Sequence, residues 1–181
     1  MRNLFPDLGP FSIWRLVVFS DASFGNLSGG VGSCGGFLIF LTAKGNSCPI
    51  IWKSGRVLRV VKSTLAAEGL SLSEALDEAI YVRHVLCQIF NVPSKSEHFA
   101  ITGVTDHEGL CRNIRSTKLV EDRRLRLDVA SIKQNIARGE VSEVILCSSG
   151  EQLADVLTKK GVSGEKLLSV LQTGGSLGCR P

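Results

Sequence analysis

At 181 residues, with 44% apolar and 21% charged residues, the chain has the length and composition of one globular domain with a full core, and is unlike a disordered or fibrous polypeptide. A formal net charge of +4 permits a polyanionic partner without demanding one. No apolar stretch approaches the roughly 18 residues of a membrane span, and Met1-Arg2-Asn3-Leu4-Phe5-Pro6-Asp7 lacks the apolar centre of a signal peptide, so no membrane partner is expected.

In chain order, residues 1–14 carry Pro6 and Pro10 and read as an incoming connector. A first strand is predicted from Leu16 to Ser23, then a Gly- and Ser-rich stretch from Gly25 to Gly36 leading into Phe37-Leu38-Ile39-Phe40-Leu41. Ala43-Lys44-Gly45-Asn46 makes a turn and Ile50-Ile51-Trp52 starts a third strand, which together imply an antiparallel meander. A helix capped by Ser63 or Thr64 runs to about Phe90, where Asn91-Val92-Pro93 stops it. A fourth strand from about Phe99 to Thr105 precedes a short helix from His107 to about Ile114. Another helix spans roughly Val120 to Ala137, with Leu125, Val129, Ile132 and Ile136 as its apolar stripe and Gly139 at its end. Val141 to Cys147 gives a fifth strand. A final helix follows from about Glu151, with Gly161 as a break before Gly164 to Leu171. This order points to an α/β domain over residues 15–172, a mixed sheet with helices on its faces, followed by a flexible tail over 173–181.

The six cysteines, Cys34, Cys48, Cys87, Cys111, Cys147 and Cys179, show neither CxxC pairs nor Cys/His metal spacing. They read as reduced residues of an intracellular protein, cytoplasmic or nuclear, in which Asn26-Leu27-Ser28 is a chance sequon. Gly30-Val31-Gly32-Ser33-Cys34-Gly35 fits GxGxxG formally but leads into a β-rich run, so the dinucleotide reading fails its context.

Four acidic residues stand where apolar ones would be expected. Asp21 ends Leu16-Val17-Val18-Phe19, and Asp106 ends Ile101-Thr102-Gly103-Val104-Thr105. Asp155 lies inside Leu153-Ala154-Asp155-Val156-Leu157. Glu68 shares a helix face with Leu72, Ala75, Ala79, Val82 and Leu86. A carboxylate turned into apolar surroundings is unfavourable by several kcal/mol unless it is paired or holds metal. Taken singly, Asp21 reads as a turn residue, Asp106 as a helix cap and Asp155 as part of a solvated helix face. Together they read as a site for hard divalent cations.

These residues belong to a larger pattern. It comprises Ser20-Asp21-Ala22-Ser23, Ile51-Trp52-Lys53-Ser54, Ser63-Thr64-Leu65-Ala66-Ala67-Glu68, Leu72-Ser73-Glu74-Ala75, Val104-Thr105-Asp106 and Gln152-Leu153-Ala154-Asp155-Val156-Leu157-Thr158-Lys159. In this order, over about residues 15–160, the chain resembles the ribonuclease H domain of copia-type long-terminal-repeat retrotransposon polyproteins. Each motif is weak alone; the ordered set is specific. The resemblance implies an RNase H-like mixed five-stranded sheet, with strands 1–3 antiparallel and then strands 4 and 5, flanked by helices. It implies a metal-dependent endoribonuclease that cuts the RNA strand of RNA–DNA hybrids beside an upstream reverse transcriptase domain. Asp21, Glu68, Asp106 and Asp155 would be both catalytic and metal-binding, holding two Mg²⁺ ions with Mn²⁺ as a substitute. Asp21 would bridge both ions, with Glu68 and Asp106 on one and Asp155 on the other. Two ions about 3.5–4 Å apart suit an in-line phosphodiester hydrolysis, and hard cations favour carboxylates over the cysteines.

The chain departs from the family in three places. The loop Cys147-Ser148-Ser149-Gly150-Glu151 has no histidine, leaving Glu151 as its ionisable group. Val120 to Asp128 replaces the Lys-His-Ile-Asp run, and one residue is inserted between Thr64 and Glu68 relative to the commoner spacing. None of these removes a carboxylate.

His84, His98 and His107 lack metal-ligand spacing, and His107 reads as a helix-start residue. Arg112, Arg115, Lys118, Arg123, Arg124 and Arg126 cluster around one helix start, either as a solvated face or as phosphate contacts to a hybrid, with Lys159 and Lys160 as further contacts. The alternative to catalysis is a silent or repurposed retroelement remnant that at most binds nucleic acid, since Met1 has no reverse transcriptase ahead of it. A proofreading exonuclease would want Asp-x-Glu where Asp21-Ala22-Ser23 stands, and an integrase would want its glutamate on a late helix.

Overall fold

Leu16-Val17-Val18-Phe19 is apolar at every position because both of its faces are covered. In the computed structural model, which describes residues 7–26, 32–94 and 97–178, this run belongs to β1 (Arg15–Ser23). The other strands are β2 (Cys34–Ala43), β3 (Asn46–Arg56), β4 (Ala100–Thr105) and β5 (Glu143–Leu146). The helices are α1 (Thr64–Ile89), α2 (Glu108–Arg115), α3 (Arg123–Ala137), α4 (Asp155–Thr158) and α5 (Glu165–Thr173). The sheet order is β3-β2-β1-β4-β5, with β1 antiparallel to β2 and parallel to β4, and β4 parallel to β5. This is the expected mixed five-stranded sheet.

Alternation along β1 divides the core. Leu16 and Val18 pack with the buried residues of α1 and α3, including Leu72, Leu76 and Ile132. Val17 and Phe19 face the other way, into a cluster with Phe40, Leu153 and Val170. Continuing the alternation, Ser20 faces α1 and Asp21 faces α4. Ser20 bonds the Ser71 hydroxyl of α1 at 3.0 Å, and Asp21 accepts from Thr158 of α4.

Local chemistry sets the element boundaries. Lys44 and Gly45 both have positive φ (52° and 81°), so Ala43 pairs with Asn46 across a two-residue hairpin turn of the type that matches strand twist. β3 therefore begins at Asn46, earlier than Ile50, and carries Pro49 on an edge strand beside a register irregularity. The Ser63 side chain accepts from Ala66 N at 3.1 Å and caps α1. α3 starts at Arg123 because the Asp122 carboxylate accepts from the backbone of Arg124 and Leu125. The continuous helix expected from Glu151 is not formed. A 3₁₀ turn (Ser149–Glu151) gives way to extended Gln152, whose amide donates to Ser20 O at 3.0 Å and whose side-chain carbonyl accepts from Ala154 N. Only then does the one-turn α4 form, and Gly161, with φ +78°, separates it from α5.

Both segments assigned outside the domain make contacts with it. In the expected connector, Phe11 stacks on Phe90 at 4.8 Å, Trp14 meets Phe90 edge-on, and Leu8 is buried. In the described part of the expected flexible tail, Gly174 O and Gly175 O accept from the backbone N–H and hydroxyl of Ser47, and Leu177 is buried in the second core. The hydrogen bonds and one apolar anchor dock this stretch. Among the described residues no helix is long and apolar enough to cross a membrane.

The seating of α4 depends on a glycine. Gly36 pairs with Asp21, and a Cβ there would stand 2.9 Å from Leu157 Cβ, 3.0 Å from Thr158 Cγ2 and 3.1 Å from Lys53 O. Gly36 thus lets α4 lie directly on the sheet beside Asp21. Gly36→Val should destabilise the protein by about 1–3 kcal/mol, read from urea unfolding. An unchanged midpoint would mean that α4 has room to shift.

Candidate active site

β1 and β4 are parallel and in register from Arg15↔Ala100 to Phe19↔Val104. Two residues beyond that last pair, Asp21 and Asp106 fall level with each other at the carboxyl ends of adjacent strands, where open α/β sheets form their sites. α4 lies across this edge against β1 and β2 and brings Asp155, its first residue. One carboxylate oxygen from each of Asp21, Asp106 and Asp155 lies within 4.8 Å of the other two.

Glu68 stands outside that three-oxygen set but beside it. It lies in the second turn of α1, only 4% exposed, accepts from the backbone of Ala22, and feels the charges of both Asp21 and Asp106. Burial, reinforced by Asp21 and Asp106 and opposed by the Ala22 bond and Lys159, pushes its pKa up to about 9. Burial also raises the pKa of Asp155; its bond to Lys159 opposes the shift and the Asp21 charge adds to it.

Asp21 is 0% exposed. Thr158 Oγ1 donates to its Oδ2, Lys159 Nζ stands 3.1 Å from its Oδ1, and its backbone carbonyl accepts from Ser71 Oγ at 3.0 Å. Oε2 of Glu68 is a buried oxygen with no hydrogen-bond partner, and Oδ1 of Asp21 has only the Lys159 ammonium beside it. Buried oxygens of this kind are unfavourable unless a cation completes them. Hard oxygen donors of this kind are compatible with a divalent cation.

The expected phosphate contacts are arranged less tightly. Arg112 and Arg115 lie in the last turn of α2, Lys118 in the following connection, and Arg123 and Arg124 open α3; all five are exposed. Arg112 bonds Glu108 at 2.8 Å, and Arg124 donates to Val60 O at 2.9 Å. Arg112 follows Asp106 by six residues in sequence, on the helix that begins at Glu108. His107 caps α2, its Nδ1 accepting from Leu110 N at 3.2 Å, as its helix-start position implied. Glu151 accepts from Ser148 Oγ. Gly30 and Val31 of the formal GxGxxG run, Leu27 and Ser28 of the sequon, and Cys179 lie outside the described residues.

Sequence reasoning missed the polar side chains that hold the acids. Lys159, expected to meet phosphate, turns inward, its Nζ 2.7 Å from Asp155 Oδ1; the exposed Lys160 stays outside the cluster. Partial burial disfavours the Lys159 ammonium, but its bonds to Asp155 and Asp21 and their charges outweigh this and raise its pKa. The signal was present in Asp155-Val156-Leu157-Thr158-Lys159, whose spacings of three and four put Thr158 and Lys159 on the Asp155 side of one helical turn. Basic side chains Lys53, Arg56 and Arg59 also line a groove with Gly36, Ser71 and Glu74 beside the strand pair that carries Asp21.

Solved structures share this arrangement of sheet and helices. The N-terminal RNase H domain of a Mycobacterium tuberculosis protein superposes with TM-score 0.54 at 14% identity, covering 80% of this chain and 90% of that one. LC11-RNase H1, isolated from compost by a metagenomic approach, gives TM-score 0.56 at 15% identity over 85% and 98%. The same enzyme in complex with an RNA/DNA hybrid gives 0.54 at 16% identity over 85% and 99%. At these identities the likeness establishes the ribonuclease H fold. No protein-family model and no curated protein matches the chain.

The raised pKa of Glu68 has a definite pH signature. The folded chain keeps a proton that the unfolded chain releases above about pH 4.5, so stability is full below that pH and falls as pH rises towards about 9. Glu68→Gln removes this slope. In EDTA the substituted protein should match the parent near pH 4.5 and exceed it by about 1–3 kcal/mol at pH 8, discounting for relaxation. Chemical denaturation across that range reads the difference, and parallel profiles would show that Glu68 ionises normally.

Proposed function

We propose that this chain is a divalent-metal-dependent ribonuclease H that hydrolyses the RNA strand of RNA–DNA hybrids, of the kind carried beside reverse transcriptase in copia-type retrotransposon polyproteins. The observation that carries this reading is the meeting of Asp21, Asp106 and Asp155 at one edge of a ribonuclease H sheet, with Glu68 buried beneath them. The motif order of the sequence supports the retrotransposon assignment. An RNase H1 of the same fold in complex with an RNA/DNA hybrid supports the substrate.

Asp21, Asp106, Asp155 and Glu68 would hold the ions, Mg²⁺ by preference of the donor set and Mn²⁺ in its place. When bound, a pair of such ions activates the attacking water and neutralises charge on the departing oxygen. The protein supplies the rest. Asp106 is half-buried, which leaves the cluster open to a substrate phosphate on that side, while Asp21 is fixed from behind by Thr158 and Ser71. Glu68, held protonated by its burial, would ionise readily only where added positive charge offsets that burial, as a bound cation would supply. Arg112, Arg115, Lys118, Arg123 and Arg124 are exposed and suit backbone phosphates, contacts that position a duplex without reading its sequence.

A hybrid labelled on each strand tests the proposal. With Mg²⁺ or Mn²⁺ only the RNA strand should be cut, EDTA should stop the reaction, and Asp106→Asn should lower the rate by about a thousandfold or more while leaving the melting temperature within a few degrees. A folded protein that cuts neither strand at high concentration with Mn²⁺ would leave the silent remnant as the better reading.

A further inference from the structure

Lys159 enters the acidic cluster from the end of α4. Its Nζ lies 2.7 Å from Oδ1 of Asp155 and 3.1 Å from Oδ1 of Asp21, so one ammonium bridges two of the three converging carboxylates. Surface pairs at this helical spacing contribute little, but Asp21 is fully buried, and Lys159 is the partner that its Oδ1 has. The Lys159 ammonium is the cation that offsets this buried charge.

The surroundings leave the contact room to break. The Lys159 side chain is 34% exposed, and it lines an open cavity of about 780 Å³ with Ser23, Asn26, Cys34, Lys160 and Val162. A flexible four-carbon stem has space there to carry the ammonium away from the carboxylates.

We propose that Lys159 is a displaceable counter-cation, which neutralises Asp21 and Asp155 in the metal-free protein and must be driven off those carboxylates when a divalent ion binds. This rests on reading the same carboxylates as the metal site. An ammonium and a dication cannot both use one pair of carboxylates in a partly desolvated site, because their mutual repulsion is weakly screened there. Lys159 therefore does two opposed things. It lets a cluster of carboxylates fold together without metal, and it lowers the affinity of the folded site for metal.

Mn²⁺ binding to the full chain, read from the electron paramagnetic resonance of free Mn²⁺ at fixed pH and ionic strength, tests this without reference to catalysis. Lys159→Met, which keeps the stem and removes the charge, should bind Mn²⁺ at least about tenfold more tightly than the parent. Lys159→Arg, which keeps the charge, should stay within about threefold of the parent. In EDTA the Lys159→Met protein should melt below the parent, and saturating Mn²⁺ should erase that deficit. A Lys159→Met chain that folds only with Mn²⁺ present supports the same role, since metal then replaces the missing charge. Equal or weaker Mn²⁺ binding by folded Lys159→Met overturns the counter-cation role while leaving the metal site standing. Absence of Mn²⁺ binding by parent and substituted proteins alike overturns both.

Discussion

A fully buried carboxylate on a central strand is the constraint around which this molecule is arranged. Asp21 sits on β1, between β2 and β4, with no solvent to stabilise its charge. Desolvation of an isolated carboxylate is severe enough that its neighbours must compensate for it. Thr158 donates to one oxygen, Lys159 approaches the other, and Ser71 bonds the carbonyl of the same residue. Gly36, paired with Asp21 on β2, leaves out a side chain so that α4 can bring those first two groups close.

The same constraint explains why the other acids are tolerated. Parallel β1 and β4 put Asp106 level with Asp21, and α1 brings Glu68 within reach of both charges. Without metal the cluster relieves repulsion through Lys159 and through a proton on Glu68, whose pKa is pushed up to about 9. The converging carboxylate oxygens are compatible with a divalent cation among them.

Much of this was legible in the sequence. Apolar runs bounded by turns and period-3.6 stripes carried the strand-meander-helix order, and Glu68 on the stripe of Leu72, Ala75, Ala79 and Val82 was visible from spacing alone. Asp21 and Asp106 stood out because each closes an apolar run. Less was legible where a side chain's destination depends on tertiary contacts. Gln152 interrupts the expected last helix because its amide finds Ser20 O, 132 residues away in sequence. The pairing of Lys159 with Asp155 is local in sequence, but its second partner, Asp21, lies on a strand far away in sequence. Phe11 and Trp14 were aromatic anchors inside an apparent connector, and Leu177 is a single apolar residue among Gly and Ser. Whether the exposed arginines of α2 and α3 touch phosphate depends on a ligand, which neither composition nor periodicity encodes.

The proposed catalysis and the proposed displacement of Lys159 both require the acidic cluster to be a divalent-cation site. Crystals soaked in Mn²⁺ and measured for anomalous scattering test this most directly. A strong anomalous peak is expected between Asp21, Asp106 and Asp155, next to Glu68, with the Lys159 ammonium moved off Asp21. A cluster with no peak at saturating Mn²⁺, and Lys159 still bridging Asp21 and Asp155, would contradict it.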